Sequence, residues 1–287
     1  MIGIDEYLLA MLLVAVLAGI IGSMVGVGGG ILVVPALTLA FGVPIQYAIG
    51  ASIITTIATS SGSASAYVRD RITNLRVGMF LEIGSVLGSI IGVTTAIYFI
   101  KSGLSWLIFI VFGIVLIFSA YSAVQNAKLQ QEETQVNPQS SDLARRLNLS
   151  GEYEDKSLHR TIRYAATQIP GGFIVIFIAG LLSGLLGVGG GILKVLGMDR
   201  LMRLPFKVST TTSNFMIGVT ATASTGILYA SGYVNVVLAA PAALGVVLGS
   251  LVGTRVLIRS RPSFIRTVFI MVLLAFGAEM IYMGVFH

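Results

Sequence analysis

Long apolar runs alternate with short polar segments along the chain, three runs in each half. They cover about 46–68, 78–99 and 104–125, and then 207–230, 233–256 and 264–285. A helix rises about 1.5 Å per residue, so roughly 20 apolar residues cross the ~30 Å hydrocarbon core of a bilayer. The pattern therefore predicts six membrane-spanning helices.

A further apolar element precedes each set of three, at about 7–41 and 171–198, and a glycine cluster interrupts it. The sequence GVGGGIL stands at 26–32 and again at 187–193. Each glycine costs about 1 kcal/mol relative to alanine inside a helix, so three consecutive glycines favour a break. Each leading element is predicted to be a helix–break–helix hairpin that enters and leaves on one face of the membrane.

The two halves repeat one sequence pattern. AGIIGSMVGVGGGIL begins at Ala18 and AGLLSGLLGVGGGIL begins at Ala179, an offset of 161 residues. The same offset aligns GSVLGSIIG (84–92) with GVVLGSLVG (245–253), and no gap is needed in between. A fixed register over this length indicates internal duplication.

Basic loops in one half correspond to uncharged loops in the other. RDRITNLR (69–76) aligns with ASGYVNVV (230–237), and the uncharged loop at 42–46 aligns with the basic stretch at 200–207. Because basic loops favour the cytoplasmic side of a membrane, equivalent loops are predicted on opposite sides and the repeats are predicted to be inverted. The predicted units are a first membrane repeat (1–125), a cytoplasmic linker (126–165) and a second, inverted repeat (166–287). The linker holds six basic and six acidic residues and is predicted to be a solvated connector.

Composition agrees with a membrane protein. The chain is 55% hydrophobic and 10% charged, whereas soluble domains carry about 25% charged residues. The fold class expected is therefore an all-α polytopic protein in a lipid bilayer, with two inverted repeats that each contain a glycine-broken hairpin and three transmembrane helices. Membrane topology accounts for the net charge of +6, so no nucleic-acid partner is expected. The chain has no cysteine and two histidines, in the linker and at the terminus, so no metal site or cofactor is expected.

The glycine breaks are the leading candidates for a binding site. Glycine-rich turns can direct several N–H groups into an anion-binding concavity, and the following half-helix adds the positive end of its dipole. Transporters with inverted repeats bind substrate near the membrane midplane at such breaks. The alternative is close helix packing, which is the preferred explanation for the glycines at 84, 88 and 92 and at 245, 249 and 253. The candidate substrate-binding glycines are Gly26, Gly28, Gly29, Gly30, Gly187, Gly189, Gly190 and Gly191.

The segment after each break is rich in side chains that can donate hydrogen bonds to an anion. ASIITTIATSSGSAS spans 51–65, and STTTSNFMIGVTATAST spans 209–225. The alternative for each hydroxyl is a hydrogen bond to a carbonyl of its own helix. The candidate substrate-binding residues here are Ser52, Thr55, Thr56, Thr212, Ser213 and Asn214.

Three ionisable residues lie within apolar segments and are functional candidates for that reason. Lys194 follows the second glycine turn, where the first half has Val33, and a cation there could neutralise part of an anion's charge. Glu82 and Glu279 could carry a proton or act as counter-ions. The alternatives are a snorkelling lysine and carboxylates that lie in solvent. No set of residues for nucleophilic catalysis or nucleotide binding is recognisable, so an enzyme is not expected.

These residues resemble the TauE/SafE family of sulfite and organosulfonate exporters over nearly the whole chain apart from the linker. The resemblance rests on the paired GVGGGIL turns, Pro35, the SxxTT-type helix after Pro44, and KVSTTTSNFMIGVTATAS at 207–224. The last stretch resembles a prokaryotic subgroup with a lysine just after the second turn. One departure is Leu196, where the first-half counterpart and many relatives have proline.

The resemblance implies a secondary transporter that moves small sulfur-containing anions, such as sulfite or sulfoacetate, across the prokaryotic plasma membrane by alternating access. Export is the expected direction. A passive anion channel, an importer of another sulfur oxyanion such as thiosulfate or sulfate, and a membrane enzyme or sulfur-carrier partner remain alternatives. A homodimer is one assembly that the sequence allows.

Overall fold

The protein is an all-α bundle of membrane-spanning helices with a small polar segment between its halves. The computed structural model describes residues 4–25, 28–69, 72–129, 142–155, 160–259 and 262–286. The first half contains α1 (Ile4–Val25), α2 (Gly30–Pro35), α3 (Ile45–Arg69), α4 (Leu75–Lys101) and α5 (Ser105–Leu129). The segment between the halves contains α6 (Asp142–Arg146), β1 (Ser150–Asp155) and β2 (Arg160–Ala165). The second half contains α7 (Ile169–Leu186), α8 (Gly191–Leu196), α9 (Phe206–Ala230), α10 (Val236–Arg259) and α11 (Pro262–Phe286).

Helices occupy each of the six predicted spans, within a few residues at either end. Among the described residues, six helices are long and apolar enough to cross a membrane: α1, α4, α5, α7, α10 and α11. The other two long helices, α3 and α9, have 25 residues each but are less apolar because serine and threonine occupy much of their length. Both lie inside the bundle, where α3 packs against α9 and α10, and α9 packs against α4.

Both leading elements are hairpins that break at the glycines. After the break, α2 and α8 continue as short π-helical turns at Ala36–Ala40 and Gly197–Leu201. The end of the first hairpin lies next to its beginning, as shown by the 5.2 Å distance between the ring centroids of Tyr7 and Phe41. In the second, the backbone N–H of Thr167 donates to the Met202 carbonyl at 2.9 Å. The structure thus confirms that the two ends of each hairpin lie together.

Helices of one half pack against helices of the other half in equivalent pairs, here called the exchanged helix pairs. The α1 helix of the first half packs along α10 of the second, and α7 of the second packs along α4 of the first. The last helices of the two halves, α5 and α11, pack against each other. Every pair is therefore matched by its counterpart at the 161-residue offset. The orientation of the halves relative to the membrane stays a prediction.

Glycines let the exchanged helices approach backbone to backbone. A Cβ atom added at Gly88 of α4 would collide with the Phe177 carbonyl of α7, and one at Gly249 of α10 would collide with the Val16 carbonyl of α1. These two contacts are equivalent at the offset. The structure confirms close packing as the role of the glycines that recur every fourth residue.

The segment between the halves packs onto the bundle more closely than a solvated connector would. The strands β1 and β2 pair antiparallel, with Tyr153 opposite Ile162. Leu149, Tyr153 and Tyr164 are buried in a cluster that also contains residues of α4, α7 and α9. Asn74 Nδ2 donates to the Tyr164 hydroxyl at 3.0 Å, and Asn74 Oδ1 accepts the hydrogen bond of Val77 N at the start of α4. Tyr153 and Ile162 pair on one face of the hairpin, whereas exposed Glu152 and Arg163 pair on the other, so the packing is one-sided.

We predict that single cysteines at Gln46 and Arg203 are labelled from opposite sides of the membrane. Gln46 lies in the first turn of α3, and Arg203 follows the second hairpin, so inverted halves place the two positions on different faces. The chain has no cysteine of its own, so no background label is expected. Labelling intact cells and inverted vesicles with a membrane-impermeant maleimide measures this, and labelling of both positions from one side would contradict the inversion.

We predict that Gly88→Ala destabilises the protein by about 1–3 kcal/mol, because the added methyl group forces α4 away from the α7 backbone. Thermal unfolding of the purified protein in detergent measures the loss. Gly171→Ala is the matched control, because a Cβ atom at Gly171 has nothing within 4 Å. Equal unfolding midpoints for the two variants would show that the close contact is unimportant.

Candidate anion site at the glycine turns

The two glycine turns meet at one serine of α3. Ser52 Oγ lies 3.0 Å from the Gly30 carbonyl oxygen and 2.8 Å from the Gly187 carbonyl oxygen, so its single hydrogen can be donated to either turn. Its counterpart, Ser213 Oγ on α9, donates to the Gly191 carbonyl at 3.1 Å. In this conformation the two serines hold the turns in place. Their hydroxyl hydrogens are therefore used by the turn carbonyls.

The turns require glycine for two separate reasons. Gly28, Gly187, Gly189 and Gly190 have φ between +65° and +79°, the left-handed region that glycine adopts without strain. Gly30 has an ordinary φ, but a Cβ atom there would collide with the Thr56 hydroxyl and lie 2.8 Å from Ser52 Oγ. Gly29 is similarly enclosed by Val246 and Thr59. Gly26 lies outside the described residues.

Two predicted residues hold buried polar atoms without a hydrogen-bond partner among the described residues. These atoms are Thr56 Oγ1 on α3 and Asn214 Nδ2 on α9, and both side chains are 1% exposed or less. The two helices are joined close by, because Ser60 Oγ donates to the Asn214 carbonyl at 2.5 Å. An unsatisfied buried polar group costs about 1–3 kcal/mol, and such groups are typical of places that receive a ligand.

Two other predicted residues use their hydroxyls within the protein. Thr55 Oγ1 donates to the Ser52 carbonyl of its own helix at 2.7 Å, which is the local bond that competes with ligand binding. Thr212 Oγ1 accepts the Asn74 backbone N–H at 3.1 Å, where the α3–α4 loop meets α9. These two positions lie beside the glycine turns and the loop respectively, with their hydrogen bonds already made.

The structure brings Lys194 and Glu82 together although 112 residues separate them in sequence. Lys194 has no exposed surface, and its Nζ lies 4.0 Å from Glu82 Oε2. Thr220 Oγ1 lies between the charges: it accepts from Lys194 Nζ at 2.5 Å and donates to Glu82 Oε1 at 2.5 Å. An ion pair linked by a hydroxyl makes a buried lysine tolerable, because neither charge is left without a partner.

Thr220 was not among the residues that the sequence singled out. It belongs to a row of hydroxyls between α4 and α9, in which Ser85 Oγ lies 2.8 Å from Thr220 Oγ1 and Ser89 contacts Ser224. The four-residue spacing of Ser85 and Ser89, matched by Thr220 and Ser224, is the signal in the sequence that could have identified this row.

The ion pair has no counterpart in the other half. At the 161-residue offset, Lys194 corresponds to Val33, Glu82 to Ala243 and Thr220 to Thr59. Glu279 is not brought to the pair, because it lies on the exposed face of α11, which packs against α5. The buried Lys194–Glu82 pair therefore belongs to one of the two equivalent places in the duplicated scaffold.

The two sequence-related halves bring their broken helices together inside a membrane-spanning bundle, beside the buried Lys194. This arrangement is typical of membrane transporters. The chain matches the family described as sulfite exporter TauE/SafE over residues 11–280. It belongs to that family, as the resemblance of its glycine turns predicts.

Three relatives of the chain have names that describe them as probable membrane transporters. The chain is 30% identical over 284 residues to the probable membrane transporter protein YunE of Bacillus subtilis (strain 168), covering 96% of this chain and 98% of that protein. A probable membrane transporter protein of Methanocaldococcus jannaschii is 26% identical over 297 residues, covering 96% and 97% of the two chains. YdhB of B. subtilis, with the same kind of name, is 26% identical over 245 residues, covering 85% and 88%. No solved structure matches the chain.

We predict that Thr220→Val destabilises the protein by about 1–3 kcal/mol, because the nearly isosteric change leaves Lys194 and Glu82 without their bridging hydroxyl. Chemical denaturation of the purified protein measures the loss. Thr222→Val, on the same helix, is the matched control: Thr222 is exposed and bonds only to the Gly218 carbonyl of its own helix. A Thr220→Val protein as stable as this control would contradict the bridging role.

Proposed function

We propose that the protein is a secondary transporter that moves small sulfur-containing anions, sulfite or organosulfonates, across the plasma membrane by alternating access. The family description, sulfite exporter, supports both the anion class and outward movement. The linker would then lie in the cytoplasm, beside the basic loops.

Fully buried Lys194 is the observation that carries the proposal. It stands three residues after Gly191, in the half-helix that starts at the second glycine turn. A permanent cation at this depth is costly unless it has a function, and attraction of an anion is the simplest one. Its ammonium group makes hydrogen bonds to one threonine and faces one carboxylate, so the remaining donors can serve a ligand.

The predicted donors suit a small oxyanion in number and kind. A sulfite or sulfonate group has three oxygens that accept hydrogen bonds but none that donates one. Thr56 and Asn214 offer the unpartnered buried donors between α3 and α9, and Lys194 lies on α8 next to α9. We propose that the glycine amides, these two side chains and Lys194 together replace the water lost by the anion.

Alternating access would use the exchanged helix pairs as moving units. The α1–α10 and α4–α7 pairs are each held by glycine contacts, whereas α3 and α9 cross between them. Rocking of one unit against the other around a fixed site is the general mechanism of transporters with internal repeats. A channel would need no such movement.

We predict that the purified protein in liposomes exchanges sulfonates and sulfite across the membrane, and that Lys194→Met abolishes the exchange. A panel of sulfite, methanesulfonate, sulfoacetate, thiosulfate, sulfate and phosphate ranks the anions. Uptake must accelerate when the same anion is inside, because a carrier returns faster when loaded, whereas a passive channel shows no such stimulation.

Two further variants make this result interpretable. Lys101→Met removes an exposed lysine at the end of α4 and is expected to exchange normally. The double variant Lys194→Met with Glu82→Gln removes both charges, so it should fold even where Lys194→Met alone leaves Glu82 unpaired. Exchange that survives in the folded double variant would refute the binding role of Lys194.

A further inference from the structure

We propose that the protein binds and carries a second species, a proton on Glu82, and that one proton accompanies each monovalent anion. This inference rests on the proposed anion transport and adds its coupling ion. In the structure, one carboxylate and one ammonium group share a buried space, with Lys194 Nζ 4.0 Å from Glu82 Oε2. Together the two groups carry no net charge.

Binding of an anion at Lys194 upsets this balance. The ammonium group would then face two negative charges, the ligand and Glu82, inside a bundle from which water is excluded. Leaving a buried charge uncompensated is expensive, and groups in that position change their protonation instead. Protonation of Glu82 restores neutrality, because the loaded site then contains the ammonium ion, the anion and a neutral carboxylic acid.

The contacts of Glu82 suit such an exchange. Oε1 is held by the Thr220 hydroxyl, while Oε2 has no hydrogen-bond partner among the described residues and keeps only the 4.0 Å contact with Lys194. A proton can therefore be placed on Oε2 without breaking a hydrogen bond. Thr220 Oγ1 keeps the neutral acid in place by donating to Oε1, as it does now.

Glu82 is also the member of the pair that lies nearer the surface of the helix bundle. Its side chain is 8% exposed, whereas that of Lys194 is fully buried. Glu82 lines a groove between α4 and α9 together with Met79, Val86, Phe215 and Val219. The proton acceptor is thus at the edge of the site, and the cation that holds the anion is at its centre.

The other ionisable residues on the elements around Glu82 lie toward helix ends or on exposed faces. On α4 itself, Arg76 lies in the first turn and Lys101 is the last residue, while Tyr98 is exposed. The packed helix α7 has no ionisable residue. The ionisable residues of α9, Lys207 and Tyr229, lie in its end turns, and α5 carries exposed Tyr121 and, near its end, Lys128.

The stoichiometry follows from the missing counterpart in the other half. Val33, Ala243 and Thr59 occupy the equivalent positions, so the symmetry-related place in the described structure cannot bind a second proton. The carrier is neutral when empty and neutral when loaded with a monovalent anion and one proton. The net direction of movement then follows from the concentration gradients of the anion and of the proton together, so a high internal anion concentration drives export. Movement is insensitive to the membrane potential.

Glu82→Gln abolishes the response to pH and introduces a response to the membrane potential. With glutamine at position 82, the empty site carries the lysine charge and the loaded site is neutral, so each anion moves one net charge without a proton. We expect wild-type protein to accumulate anion about tenfold per pH unit and not to respond to potential. We expect Glu82→Gln to ignore pH and to respond about tenfold per 59 mV.

The experiment uses proteoliposomes with radiolabelled methanesulfonate, which remains a monovalent anion throughout the pH range used. Anion counterflow is measured first, without gradients, and its absence in the wild type would contradict the anion transport itself. Net uptake is then measured under an imposed pH gradient and, separately, under a potassium diffusion potential with valinomycin. A trapped pH dye counts the protons that enter with the anion. Glu152→Gln is the matched control, because Glu152 is an exposed carboxylate paired with Arg163 on the β1–β2 hairpin.

Each outcome decides the inference. Wild-type uptake driven by pH, with about one proton per anion and no effect of potential, supports it, as does the reversed behaviour of Glu82→Gln. Wild-type counterflow together with uptake that follows the potential and brings no protons overturns it, while the proposed anion transport survives. If Glu82→Gln fails to fold, the proton count and the response of the wild type to potential decide the question alone.

Discussion

The whole architecture depends on satisfying a broken backbone where water is absent. Each glycine turn leaves carbonyl and amide groups open inside the helix bundle, and an unsatisfied backbone group in an apolar environment costs several kcal/mol. Ser52, which reaches the carbonyls of Gly30 and Gly187, and Ser213, which reaches Gly191, meet part of this need. Because α3 and α9 must supply such hydroxyls, they are too polar to face lipid over their length, and the apolar helices enclose them.

Much of the fold could be predicted from the sequence because its signals are local. Apolar runs define the long helices, and consecutive glycines define the breaks. The Lys194–Thr220–Glu82 group could not be predicted, since the three residues lie on three helices and only tertiary packing brings them together. Glu82 and Glu279 look alike in sequence, as single acids within apolar runs. Only the packing of α4 against α9, and of α11 against α5, separates the buried one from the exposed one.

The duplication explains the scaffold but not the chemistry. Equivalent contacts such as Gly88 with Phe177 and Gly249 with Val16 show that both halves solve the packing problem in the same way. The ionised pair breaks this equivalence, because only one copy carries it. The duplicated scaffold thus keeps a symmetric framework, while one of its two copies carries the set of three side chains.

Asn74 gives the polar segment between the halves a mechanical connection to that set. It begins α4 by accepting from Val77, it donates to Tyr164 of β2, and its backbone N–H donates to Thr212 of α9. Glu82 stands two turns further along the same α4, and Thr220 about two turns further along α9. Asn74 therefore connects the β1–β2 hairpin directly to the two helices that carry Glu82 and Thr220. A change in the position of the hairpin would therefore be coupled, through Asn74, to the positions of Glu82 and Thr220.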